Sequence, residues 1–430
     1  MSSTVTSPTA AAPRQKGAEA KRQIRGSSLL LVGKLFALAV KYAIPILIVR
    51  YLSKADYGAF AYALSFVALG ETIITFGLDR AVTRFVPIYE EQQDYDRMFG
   101  TIIMVVGTIL SLGLALILLF YSLQGVIARS FINDDQALVL LLILIFLSPV
   151  KALDTLLNGM FAIFSHPRAI FFRKYLLGPG LQLTVVLLLI LGHSDVRFLA
   201  SGYLAAAAFA VVIYSVILFR VLRDRQLFEH FNLRTIQIPA REILAFTVPL
   251  LTTDLVYVVM NTMDAMLLEY FQGTVDVAAL RAVQPTAKMN QTVLMSFGLL
   301  FIPVASRMFA RNDREGINDL YWQNAVWIAV VSFPIFALTF SLARPLTIFL
   351  YGERYEQSAI ILALLSLGYY FNAALGQNGS TLKVYGKLRY VVAINALVAV
   401  LNLGLNLVLI PRYGALGAGV GTFITLVIFN

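Results

Sequence analysis

About twelve apolar stretches, each near the roughly 20 residues that a bilayer core requires, divide this chain from end to end. They fall near 27–50, 57–79, 99–121, 136–157, 169–192, 198–220, 242–268, 281–305, 320–343, 357–378, 389–410 and 414–430. Hydrocarbon holds no water to satisfy backbone N–H and C=O groups, so each stretch must close its own hydrogen bonds as a helix. The charged fraction agrees, at 13% of residues against roughly 25% in a soluble domain. The expected fold is an all-α polytopic membrane protein.

Residues 1–26 are rich in Ser, Thr, Ala and Pro and gain Arg14, Lys16, Lys21, Arg22 and Arg25. This composition predicts a disordered cytoplasmic tail. The apolar run from Ser28 to Val49 is too long for a signal-peptide core, and no small-residue cleavage site interrupts it. With the tail inside, 22 basic residues fall on the inner side and 8 on the outer, which sets the N-terminus in the cytoplasm of a cell (inner or plasma) membrane. The net charge of +10 is then largely topological, and nucleic acid is not an expected partner. The chain has no cysteine, and His166, His193 and His230 are too scattered to form a cluster, so neither a metal nor another cofactor is expected.

The longest hydrophilic connection, 223–241, separates an N-terminal lobe of six helices (27–222) from a C-terminal lobe (242–430). Asn158-Gly159 with Arg168 recurs as Asn378-Gly379 with Arg389, Phe76-Gly77-Leu78 recurs as Phe297-Gly298-Leu299, and Tyr51 matches Tyr270. An offset that stays near 220 residues predicts duplication of a six-helix unit, and an even helix number makes the two repeats parallel. The last stretch, from Gly414, is barely long enough to cross and has no charged flank, so the chain is expected to be incomplete at its C-terminus.

Charges inside these stretches are the functional signal, because each costs about 2.5–3.5 kcal/mol on insertion scales. Lys34 and Lys41 lie seven residues apart, on one face of the first helix, and Lys41 precedes Pro45, which permits a bend. Together with Lys288, and with Arg80 and Arg84 as an i, i+4 pair after the second stretch, they are candidates to bind an anionic substrate. Glu71, Asp254 and Asp264 are candidates for coupling or charge-pairing, with a first-helix lysine the expected partner of Glu71. Lys151 and Asp154, three apart, read as a structural ion pair. Asn261, Gln284, Thr286, Asn290 and Gln291 add a polar patch around Lys288. Asn395, Asn402 and Asn406 form a narrow stripe that must face protein or water.

Arg50-Tyr51-Leu52-Ser53 with Asp56-Tyr57-Gly58, Phe76-Gly77-Leu78 with Arg84, Tyr351-Gly352-Glu353-Arg354-Tyr355, and Ile410-Pro411 with Gly414 and Gly417-Ala418 carry a family resemblance. Over residues 25–430 the chain resembles the O-antigen-type polysaccharide flippases of the multidrug/oligosaccharidyl-lipid/polysaccharide (MOP) exporter superfamily. The resemblance implies two six-helix lobes around a V-shaped central cavity, in a fold whose members typically have fourteen helices. It also implies no enzymatic activity. The implied cargo is a polyprenyl-(pyro)phosphate-linked oligosaccharide moved to the outer leaflet, with membrane lipids and a polysaccharide polymerase or glycosyltransferases as partners. Two alternatives stand beside it: a multidrug exporter of organic cations coupled to H+ or Na+, which would use acidic cavity residues, and a membrane glycosyltransferase or polymerase. The short outer loops, with Asp134-Asp135 as the only adjacent acidic pair, speak against the last.

Overall fold

The computed structural model describes Gly33 and residues 36–428 apart from 131, 133, 165–171 and 233, and every regular element among the described residues is helical. The N-terminal tail and Lys34 lie outside the described residues. Helix α1 (36–51) is followed by α2 (Lys54–Thr75), α3 (Leu78–Glu91), α4 (Tyr95–Ser122), the short α5 (Gln124–Ser130), α6 (Asp135–Leu144) and α7 (Leu147–Phe164). A π-helical segment (Phe172–Leu177) runs into α8 (Gly178–Leu191), and α9 (Val196–Asp224) follows. Residues 225–239 connect to α10 (Ala240–Gln272), α11 (Thr274–Ala287), α12 (Met289–Ala310), α13 (Arg314–Ser341), the short α14 (Ala343–Tyr351), α15 (Ala359–Ala374), α16 (Asn378–Val384) and α17 (Leu388–Ile428).

Local chemistry sets these boundaries. Ser53, Asp94, Asp134, Asp195 and Asp313 each accept a hydrogen bond from a backbone N–H of the turn they precede, capping α2, α4, α6, α9 and α13. Pro149 has no N–H to reach the carbonyl of Ile145, and the rod breaks there between α6 and α7. In α17 the break falls at Gly414, φ 56°, just after Pro411. Asp276 of α11 reaches across to accept from the N–H of Ala415 at 2.7 Å, and a Cβ at Gly414 would sit 2.3 Å from that same carboxylate oxygen. The expected separation of 389–410 from 414–430 is present: the chain folds back at Gly414, so that Asn402 and Thr425 are hydrogen-bonded at 3.2 Å and a Cβ at Gly421 would lie 2.4 Å from Asn406 Oδ1.

The order helix, two-piece rod, long helix, short helix occurs twice, as α1–α5 and as α10–α14, and both long helices, α4 and α13, have 28 residues. This recurrence of order is the structural counterpart of the offset near 220 residues in the sequence. One sequence pair does not mark a shared conformation. Phe76 and Gly77, with φ 52° and 69°, form the break between α2 and α3, whereas Phe297-Gly298 lies inside α12 and the second rod breaks at Lys288.

Among the described residues, eight helical runs are long and apolar enough to cross a membrane. Leu114, Leu118, Leu299, Leu300 and Val400 stand well exposed on them, as lipid-facing side chains do. Two buried apolar clusters hold the helices. One extends from Val40 through Tyr57 and Leu144 to Leu280, Tyr351 and Ala418, so both halves share it. The other runs from Ile74 through Phe99 and Phe161 to Leu227, and takes only Ile243 from the second half. The halves thus share a core at the end away from the 225–239 connection, and none comparable at the connection end.

Candidate substrate site at the seam between the halves

Helix α2 of the first half packs along α10 and α11 of the second. Gly58 makes the contact possible, since a Cβ there would lie 1.8 Å from the carbonyl oxygen of Thr274. The Tyr57 hydroxyl donates to the carbonyl of Arg281 at 3.3 Å, and the Thr274 hydroxyl donates to Asp134 at 3.0 Å. Arg281 lies inside this seam. Its guanidinium donates to Gln284 Oε1 at 2.9 Å and across the halves to Ser65 Oγ at 3.1 Å.

Seven residues beyond Arg281, and so on the same helical face, is Lys288 at the α11–α12 break. Its ammonium is 5.9 Å from the Tyr369 ring centroid, and both cations act electrostatically on the buried Asp264 of α10. Asp264 accepts from Asn406 Nδ2 at 2.6 Å. The same Asn406 amide donates to Asn402 Oδ1 at 3.1 Å, and Asn402 Nδ2 donates to Thr425 at 3.2 Å. Two members of the Asn stripe therefore face protein, as their spacing requires. Asn290, fully buried next to Lys288, has neither amide atom hydrogen-bonded. An uncompensated buried amide of this kind is a polar group available to a ligand.

Helix α1, which carries Lys41, borders this group. The neighbouring Tyr42 hydroxyl is 3.4 Å from the Thr292 hydroxyl, one helical turn past Lys288, and the Lys41 side chain is exposed. Of the predicted cations, Lys288 lies in the seam and Lys41 is exposed on α1, the helix whose Tyr42 meets α12. Arg281, the first residue of the stretch 281–305 and one of the eight basic residues counted on the outer side, joins Lys288 there. Its spacing of seven from Lys288, the same as that of Lys34 from Lys41, is the signal that could have found it.

Toward the connection end, Arg80 donates to Asp254 at 2.8 Å, and the Arg84 guanidinium lies 4.6 Å from the Phe246 ring centroid. Tyr89 donates to Glu242 at 3.1 Å. Here Arg80 and Arg84 fasten α3 to α10, and Asp254 is the partner of Arg80. In the first half, Glu71 accepts from Thr155 at 3.2 Å and faces the charge of Lys151 rather than a described residue of α1. Lys151 and Asp154 both line a cavity of about 190 Å³ with Gln182 and Tyr203, and Asp154 accepts from Asn158 at 3.5 Å.

The opposite end of the seam is closed by two arginines acting reciprocally. Arg50, at the end of α1, donates from Nε to the Leu350 carbonyl at 3.0 Å and from Nη2 to the Phe349 carbonyl. Arg354 donates to the carbonyls of Arg50, at 2.9 Å, and of Val49. Each guanidinium satisfies the terminal carbonyls of a helix in the other half.

Comparison with known proteins agrees with this architecture. The chain is 21% identical over 423 residues to an uncharacterized membrane protein of Methanocaldococcus jannaschii, covering 94% of this chain and 81% of that protein. Its fold is similar to that of the lipid II flippase MurJ in an inward closed conformation, with TM-score 0.73, 16% identity, and coverage of 93% of this chain and 85% of that one. It is also similar to an inward-facing multidrug resistance MATE family transporter of the MOP superfamily, with TM-score 0.71, 13% identity, and coverage of 93% and 95%. Both neighbours are transport proteins rather than enzymes. The MatE family model matches residues 249–408 and the polysaccharide biosynthesis protein model matches residues 24–309. With two thirds of its length matched, the chain belongs to the polysaccharide biosynthesis protein family.

Proposed function

We propose that this protein moves an anionic, polyprenyl-(pyro)phosphate-linked oligosaccharide from the cytoplasmic to the outer leaflet of the cell membrane. The carrying observation is the pair of half-buried cations Arg281 and Lys288 on one helical face at the seam, beside a buried Asn290 with no hydrogen-bond partner, with Lys41 on the bordering helix α1 as a further candidate. Phosphate oxygens match those donors, and sugar hydroxyls suit the amides. Lobes 27–222 and 242–430 rock about the seam, with the N-terminus cytoplasmic. The shared apolar core and the arginine clasp keep the outer end shut, while the polar joints Arg80–Asp254 and Tyr89–Glu242 part at the cytoplasmic end to admit the lipid. The inward states named for both neighbours support this sidedness. Lys34, Arg80 and Arg84 gather the phosphate on arrival, and the prenyl tail stays in lipid. A polymerase or glycosyltransferase then consumes the exposed glycan.

The test is transbilayer movement of a labelled polyprenyl-pyrophosphate oligosaccharide in proteoliposomes. Lys41→Ala or Lys288→Ala removes a charge-assisted contact of about 1.5–3 kcal/mol, so transport should fall about 10- to 100-fold, with Lys41→Arg retaining more than Lys41→Ala. Full transport by both folded alanine variants would overturn the anion-reading site.

A second reading, export of organic cations, draws on the MatE match, which spans Asp254 and Asp264. Cation efflux without lipid movement in the same vesicles would favour it. Both carboxylates are already engaged, by Arg80 and by Asn406.

A further inference from the structure

A second pocket lies away from the seam, at the connection end of the second half. Its volume is about 330 Å³; Tyr321 of α13 with Asn378 and Thr381 of α16 supply polar groups, and α17 supplies Val391 and Ile394 together with Asn395. Hydroxyls and amides beside branched aliphatics suit an amphiphile rather than a wholly polar solute.

Two cations flank the lining residues in the chain. Lys383 follows the lining Gly379 by four residues on α16, one turn along the same face, and Lys387 immediately precedes α17, its ammonium 5.6 Å from the ring centroid of Tyr390, the neighbour of the lining Val391. Both side chains are exposed, as is Arg389. No acidic residue occurs anywhere after Glu356. On α13 the nearest acid in sequence, Asp319, is two residues from Tyr321 and therefore turned away from its face. The charged residues of α16 and α17 and of the turn between them are therefore all cationic.

The sequence repeat supplies a comparison. Asn158-Gly159, inside α7, and Asn378-Gly379, at the start of α16, are paired by the repeat offset in the sequence. A Cβ at Gly159 would meet Thr83 at 2.9 Å, whereas a Cβ at Gly379 would meet nothing within 4 Å. Gly159 is covered, and Gly379 is open onto the pocket.

We propose that the α13–α16–α17 pocket binds the head group of an anionic phospholipid. Lys383 and Lys387 take the phosphate, the amide nitrogens of Asn378 and Asn395 donate to head-group oxygens while the Tyr321 and Thr381 hydroxyls hold the Leu375 and Gln377 carbonyls, and Val391 and Ile394 receive the first carbons of the chain. The site is separate from the seam and does not depend on the cargo assigned to it.

The experiment is thermal unfolding of the full chain in detergent, titrated with short-chain phosphatidylglycerol, with phosphatidylcholine of equal chain length, or with inorganic phosphate. Phosphatidylglycerol should raise the unfolding midpoint saturably at concentrations where the other two have no effect. Gly379→Leu, which fills the pocket, and the double variant Lys383→Ala/Lys387→Ala should each weaken half-saturation about tenfold or more. Gly107→Leu, at another helical glycine facing open space, should leave it unchanged. An equal response to phosphatidylcholine or inorganic phosphate would overturn the proposal. So would an unaltered titration in either pocket variant, and the lysine pair decides the matter should Gly379→Leu not fold.

Discussion

Asn406 illustrates what a single side chain does inside this bundle. Its one amide nitrogen donates both to the Asp264 carboxylate and to Asn402, tying α10 to α17 where no water competes. Asn406→Ala removes a donor from a buried carboxylate, and a loss of about 1–3 kcal/mol is expected, read as a lower unfolding midpoint in detergent. Asn395 belongs to the same sequence stripe but lines the peripheral pocket, so Asn395→Ala should leave that midpoint nearly unchanged. The stripe itself was legible because helical spacing alone demanded a polar partner. Which partner each residue meets was not, since Asp264 is 142 positions away from Asn406 and only tertiary packing brings them together. Arg281 was misread for a related reason. Hydropathy averages over a window, and one arginine at a stretch boundary looks the same whether it faces a loop or the interior.

At the scale of elements, length and apolarity fixed the helices well because the bilayer leaves the backbone one solution. Interruptions were harder to place. The rod 54–91 was read as a single stretch ending near 79, yet it continues to Glu91 through the left-handed pair Phe76 and Gly77. The amphipathic α3 is too polar on one face to count as apolar, and that face is the one Arg80 and Arg84 use against α10. Close approach of elements is equally invisible to hydropathy. Gly58 falls within the expected stretch 57–79, and nothing in its hydropathy marks it as the point where α2 meets the start of α11. Gly58→Leu should hold these elements apart. Because the natural chain has no cysteine, single cysteines at Ala61 and Ala278, both buried at this contact, can report the change. Their labelling by an impermeant maleimide should rise several-fold in Gly58→Leu, and an unchanged rate would show that the contact absorbs the side chain.

The whole molecule is asymmetric between its ends. One end shares an apolar core and is strapped by Arg50 and Arg354, and the other is joined by exposed polar contacts. Arg50→Ala/Arg354→Ala should shift the population toward opening at the strapped end. A cost of about 1–2 kcal/mol corresponds to roughly tenfold faster labelling of a cysteine at Ala61, with the single variants intermediate. The strap has one more property. Every acceptor it uses is a main-chain oxygen, of Val49, Arg50, Phe349 or Leu350, so the identities of the other three residues do not enter the bond. Natural variants can therefore drift at 49, 349 and 350 without any compensating change at 50 or 354. Methods that infer proximity from correlated substitution will pass over the place where the two halves grip each other most directly.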